Sequence, residues 1–135
     1  MKKVLCFGTF DILHQGHKEF FEDAKKQGDY LIVIVISNKL VYKNKKRYPV
    51  NSQEIRAKNL EKIKIIDEII KVGDDFNSNL ELIKSLSPDV IVFGYDQKTE
   101  IEDKIINYLN FNKLFPKVYY SKKLAGGIHS SLLKK

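Results

Sequence analysis

Two kinds of apolar pattern alternate along the chain. Val4-Leu5-Cys6-Phe7, Leu31 to Ile36, Ile65 to Val72, Asp89-Val90-Ile91-Val92-Phe93 and Pro116-Lys117-Val118-Tyr119-Tyr120 are short runs with the length and apolar content of strands. Between them, apolar residues recur at the spacing of one helix face. From His17 to Gln27 the stripe is Phe20, Phe21 and Ala24, charged residues surround it, and Gly28 follows as a stop. A second helix is predicted to open with Asn51 or Ser52 as its N-cap and to carry Ile55, Leu60 and Ile63. A third opens at Asn77 or Ser78, carries Leu80, Leu82, Ile83 and Leu86, and ends at Pro88. A fourth runs through Ile101, Ile105, Ile106 and Leu109. Ser37 to Val50 reads as a long basic loop, and Gly126 to Leu133 as a glycine loop feeding a short helix.

Five strands alternating with helices predict an α/β fold: a Rossmann-like, doubly wound sheet of five parallel strands, one domain over residues 1–135. The uninterrupted Leu31–Ile36 run fits a strand buried on both faces. Such sheets bind ligands beyond the carboxyl ends of their strands, where strand order reverses. Thr9-Phe10-Asp11 with His14, the basic loop, and Tyr95-Asp96 each follow a strand, so one sheet edge gathers them.

With 135 residues the chain is long enough for a core without staples. Its single cysteine, Cys6, allows no internal disulfide and no thiolate metal site. No apolar run approaches the ~20 residues of a spanning helix. The charged, then briefly apolar start reads as a first strand rather than a secretory leader, so a cytoplasmic protein with no membrane partner is expected. There are 24 Lys and Arg against 17 Asp and Glu, a net charge of +7, partly gathered at Lys43 to Arg47 and at Lys122-Lys123. That surplus suits an anionic partner, whether nucleic acid, membrane surface or phosphorylated small molecule.

The stretch Gly8-Thr9-Phe10-Asp11-Ile12-Leu13-His14-Gln15-Gly16-His17 carries the chemistry. A transition-metal site at His14 and His17 would need ligands from His129 or from carboxylates, and there is no His-Glu-x-x-His spacing. No Gly-x-Ser-x-Gly elbow supplies a nucleophile. A pair of core histidines would be expected on the Phe20–Phe21 stripe, and these two flank Gly16 at a strand-to-helix junction instead. That leaves anion chemistry: a helix N-terminus offers free N–H groups to phosphate, and an imidazole on each side donates to oxygens that gain charge.

Gly8 to Asp11 followed by His14-Gln15-Gly16-His17 resembles the nucleotidylyltransferase superfamily with the His-x-Gly-His signature, and the likeness covers nearly the whole chain. That group includes glycerol-3-phosphate cytidylyltransferases, heptose-phosphate adenylyltransferases and archaeal FAD synthetases. The resemblance implies catalytic roles for His14, His17, a lysine of the basic loop (Lys43, Lys45 or Lys46, with Lys46 preferred) and Arg56. It implies nucleotide binding by Gly8, Thr9, Phe10, Gly16, the Gly94-Tyr95-Asp96 segment, Ile128, Ser130 and Ser131, and substrate contacts by Asp11 and Lys43. The C-terminal Arg-Thr-Glu-Gly-Ile-Ser-Thr-Thr motif of the cytidylyltransferases is matched only in its second half. Leu124-Ala125-Gly126 lacks the arginine, for which Lys122 or Lys123 is the stand-in. Magnesium is implied on the triphosphate rather than in a protein site, and a homodimer is implied as the assembly.

The implied reaction is attack by a substrate phosphate oxygen on the α-phosphorus of a nucleoside triphosphate, releasing pyrophosphate. Gly94-Tyr95-Asp96-Gln97 resembles the archaeal FAD synthetases, so ATP and FMN are the expected substrates. CTP with glycerol 3-phosphate and ATP with a heptose phosphate are the alternatives. The cysteines near the C-terminus of some archaeal FAD synthetases are missing. A basic nucleic-acid-binding module lacks support, because no stacking aromatics interleave with the lysine run and no helix-turn-helix or finger pattern occurs. A degenerate, regulatory nucleotide binder is a further alternative, kept open by the missing arginine.

Overall fold

The computed structural model describes residues 1–94 and 100–122. Strands β1 (Lys3–Gly8), β2 (Tyr30–Val35), β3 (Glu68–Lys71), β4 (Val90–Gly94) and β5 (Lys117–Ser121) form one sheet in the order β3-β2-β1-β4-β5. Every neighbouring pair is parallel. Helices α1 (Gln15–Lys25), α2 (Asn38–Lys45), α3 (Gln53–Leu60), α4 (Phe76–Leu86) and α5 (Glu100–Phe111) lie between them in the chain.

The strands alternate apolar side chains between two cores, which explains their continuous apolar runs. Val4 and Cys6 of β1, Val33 and Val35 of β2, and Val90 and Val92 of β4 pack with Phe20, Phe21 and Ala24 of α1 and Ala57 and Leu60 of α3. Leu5, Ile32, Ile34, Ile91 and Phe93 pack with Leu80 and Ile83 of α4 and Ile105 and Leu109 of α5. Helices therefore cover both faces, as the expected doubly wound fold requires. From β1 the chain moves outward to β2 and β3, then returns to the other side of β1 for β4 and β5. Strand order thus reverses between β1 and β4, where such a sheet opens a crevice beyond its carboxyl ends. Asp23 fixes α1 to the far strand by accepting from the hydroxyls of Tyr119 and Ser121.

Several expected boundaries shift for identifiable reasons. The loop expected over Ser37–Val50 contains α2: Ser37 Oγ accepts from Leu40 N–H at 3.2 Å, and Leu40 and Val41 are buried. With only this adjacent apolar pair among lysines and asparagines, the segment shows no stripe. Expected to begin at His17, α1 starts two residues earlier. On α3, Ile55 is half exposed, and Arg56, Ala57 and Leu60 take the inner face. Ile65 and Ile66 pack on the core before β3 begins. Asp75 caps α4, ahead of the expected Asn77 or Ser78. No helix among the described residues is long and apolar enough to cross a membrane.

Candidate active site

β1 ends in a loop folded tightly on itself. Phe10 adopts φ 51°, a left-handed conformation unusual for a bulky residue, and its buried ring lies beneath Gly8. A Cβ on Gly8 would come within 2.9 Å of that ring. Phe10 also meets Phe21, at 5.0 Å between ring centroids, and His17 at 6.1 Å. Burial of Phe10 holds the loop in this strained turn and delivers His14 to the start of α1.

His14 is the N-cap of α1, and its Nδ1 accepts from Gly16 N–H at 3.0 Å. His17, at N3, returns the contact: its Nδ1 accepts from His14 N–H at 3.2 Å. The His-x-Gly-His signature is thus a capping box made of two imidazoles. Gly16 is required by contact rather than by φ, since a Cβ there would lie 2.8 Å from His14 Cε1. Both Nδ1 atoms are acceptors, so in each neutral ring the proton resides on Nε2. The Nε2 of His17 is buried and has no hydrogen-bond partner among the described residues. Burial, then the charges of His14 and Lys45, push the His17 pKa down to about 4. At neutral pH His17 therefore offers an uncharged N–H donor. The first turn of α1 carries no acidic side chain, so the positive end of the helix is left for an external anion.

Arg56 is fully buried, yet its partners are neutral: Nε donates to Asn51 O at 3.0 Å, Nη1 to Thr9 O at 2.9 Å and Nη2 to Asn38 Oδ1 at 2.7 Å. It ties the loop after β1 to the start of α2 and the approach to α3. Burial lowers its pKa and the charge of Asp11 opposes that shift. Two guanidinium N–H groups remain beyond these three bonds. Both oxygens of the Asp11 carboxylate accept backbone N–H bonds, from Val50 at 2.7 Å and Asn51 at 2.8 Å, so Asp11 clamps the α2–α3 connection to the signature loop.

The structure brings His14, His17, Gly8, Thr9, Phe10, Asp11, Gly16 and Arg56 into this one network. Lys43 and Lys46 are exposed, and Lys46 ends α2 in a left-handed turn at φ 63°. Lys45, set below Lys46 in the sequence reading, is the lysine whose charge reaches His17. Gly94 ends β4 beside Ser121 of β5, and Lys122 is exposed just after β5. Tyr95, Asp96, Gln97, Lys123, Ile128, Ser130 and Ser131 lie outside the described residues. Two site-building residues had not been singled out. Asn38 was legible as a polar residue just after a strand. Gln53, whose amide donates to Val35 O at 2.9 Å and Val72 O at 2.8 Å across the ends of β2 and β3, carried no sequence signal. Among the described residues, no three His, Cys, Asp or Glu side chains are grouped to hold a metal ion.

Residues 5–135 match the family described as Cytidylyltransferase-like. The chain belongs to that family. As a cytidylyltransferase-like protein it is a nucleotidyltransferase. The FAD synthase of Thermococcus sibiricus is 41% identical over 112 residues, 78% of this chain and 75% of that protein. The FAD synthase of Pyrococcus horikoshii is 45% identical over 101 residues, 75% of this chain and 68% of that protein. The solved structure of a lipopolysaccharide core biosynthesis protein from Thermoplasma volcanium superposes with a TM-score of 0.79 at 28% identity, covering 91% of this chain and 98% of that one.

Proposed function

We propose that this chain is an ATP:FMN adenylyltransferase, an FAD synthase. The phosphate oxygen of FMN attacks the α-phosphorus of ATP, the new O–P bond forms, the bond to the β-phosphate oxygen breaks, and pyrophosphate leaves. The observation that carries this reading is the buried, unpartnered Nε2 of a neutral His17 beside an N-terminus without acidic side chains. A buried donor of this kind costs free energy unless an acceptor meets it, and a phosphate oxygen is such an acceptor.

His14 and His17 orient the α- and β-phosphates and donate as the leaving oxygen gains charge, the α1 amides cradle the triphosphate, and Lys45 with Lys46 neutralises it. Arg56 holds the three loops together, and its buried guanidinium adds positive charge behind the phosphates. Tyr95, Asp96, Ile128, Ser130 and Ser131 complete the nucleotide site in this reading. Magnesium enters on the triphosphate as part of the substrate. The FAD synthase relatives support FMN as acceptor. A pyrophosphate-release screen of ATP and CTP against FMN, glycerol 3-phosphate and sugar 1-phosphates tests the assignment. ATP with FMN is the expected pair; turnover confined to CTP with glycerol 3-phosphate overturns it.

A further inference from the structure

Two tyrosines stand at the edge of this site without a part in the chemistry above. Tyr42, on the exposed side of α2, and Tyr48, in the connection to α3, stack with ring centroids 4.6 Å apart and planes inclined by 23°. They remain 44% and 65% exposed, so the pair presents an open aromatic face instead of being absorbed into the core. Asp11 supplies the geometric tie that holds that face at the site, and the charge of Lys45 acts alongside it. Asp11 of the signature loop binds the backbone of Val50 and Asn51, two and three residues beyond Tyr48. Lys45, three residues after Tyr42 on the same helix, bears on His17. The two segments that Asp11 joins also expose Ile12 at 61% and Val50 at 77%. Lys43, Lys45, Lys46 and Arg47 lie between the two tyrosines in the chain.

An aromatic stack, flanking aliphatics and a run of cations together fit a flat heteroaromatic molecule that has an apolar edge and carries a phosphate. They match a polyol phosphate poorly, since its hydroxyls would meet aromatic and aliphatic surface. We infer that the Tyr42–Tyr48 stack is the platform on which the isoalloxazine ring of FMN lies while its phosphate reaches the α-phosphorus. This inference rests on the adenylyltransferase reading and adds the acceptor subsite to it. Stacking on an aromatic side chain is weakened by alanine substitution by an amount equivalent to about 5- to 150-fold in affinity.

The test titrates FMN against the full-length protein by flavin fluorescence, which stacking on a phenol ring quenches, and measures KM for FMN and for ATP. Tyr48→Ala and Tyr42→Ala are expected to raise the FMN Kd and KM within that range, to diminish the quenching and to leave the ATP KM within about twofold. Tyr48→Phe keeps the ring and is expected to bind as the wild type does. A rise in the ATP KM with FMN binding unchanged overturns the inference in favour of adenine on the stack. Unchanged constants for both substrates make the pair purely structural and overturn it too. A wild-type protein that releases pyrophosphate with another acceptor but neither binds nor consumes FMN fails the underlying reading, a result distinct from failure of the platform alone.

Discussion

Gly16→Ala places a methyl group 2.8 Å from Cε1 and 3.0 Å from Nδ1 of His14, well inside van der Waals contact. The α1 backbone accepts alanine at this position, since Gly16 has no positive φ, so the imidazole is the part that must move. Its movement breaks the 3.0 Å bond from Gly16 N–H and withdraws the N-cap. Losing a cap costs about 1 kcal/mol. Replacing a helical glycine by alanine returns about 0.5–1 kcal/mol. The two terms nearly cancel, and the thermal midpoint is expected to stay within a few degrees of wild type. Catalysis has no such compensation, because the His14 donor is displaced from the reacting phosphate, and kcat is expected to fall roughly 10²-fold. Thermal melts by circular dichroism with pyrophosphate-release kinetics separate the two effects, and exposed Gln15→Ala serves as the neutral control. Full kcat in Gly16→Ala would refute the claim that the glycine exists to seat His14.

Three further outcomes are expected. His17 is held at about 4 in the folded protein against an ordinary value near 6.5. The unfolded chain therefore binds more protons between those values, so the stability this contributes is complete above about pH 6.5 and is lost as pH falls toward about 4; at pH 5 the loss is about 2 kcal/mol. His17→Gln removes the titration, so its urea midpoint should drop less between pH 7 and 5 than that of wild type; equal drops contradict the assignment. Arg56→Lys cannot satisfy Asn51 O, Thr9 O and Asn38 Oδ1 at once and should cost about 1–3 kcal/mol in urea unfolding, whereas an unchanged midpoint contradicts the clamp. Gln53→Leu strands the Val72 carbonyl and leaves Val35 O with only the Val72 N–H at 3.2 Å, which should cost about 1–3 kcal/mol with kcat preserved, as paired melts and turnover assays will show.

Where packing follows from local pattern, the sequence was readable. The apolar runs of β1, β2 and β4 are buried on both faces, so their continuity announces them. The edge strand β3 is half-buried and shorter than its apolar run, because Ile65 and Ile66 fill core space without joining the sheet. α2 escaped notice because two buried residues, Leu40 and Val41, suffice to seat it once Ser37 caps it. At the site, the spacing of His14, Gly16 and His17 pointed to a helix start and to phosphate. Which nitrogen carries each proton follows only from the Nδ1 bonds. That Lys45 closes α2 and Lys46 caps it in a left-handed turn depends on where α2 ends, information absent from a segment read as loop. Burial of Arg56 among backbone carbonyls is a tertiary fact with no local signature.

The central claim is that the His17 Nε2–H acts on the reacting phosphates of ATP. Single-turnover transfer of label from [α-³²P]ATP to FMN, in wild type and His17→Ala, tests it most directly. Wild type is expected to yield labelled FAD, and the variant to transfer label roughly 10²–10³-fold more slowly with ATP affinity changed only a few-fold. Transfer at the wild-type rate by a folded His17→Ala protein would contradict it.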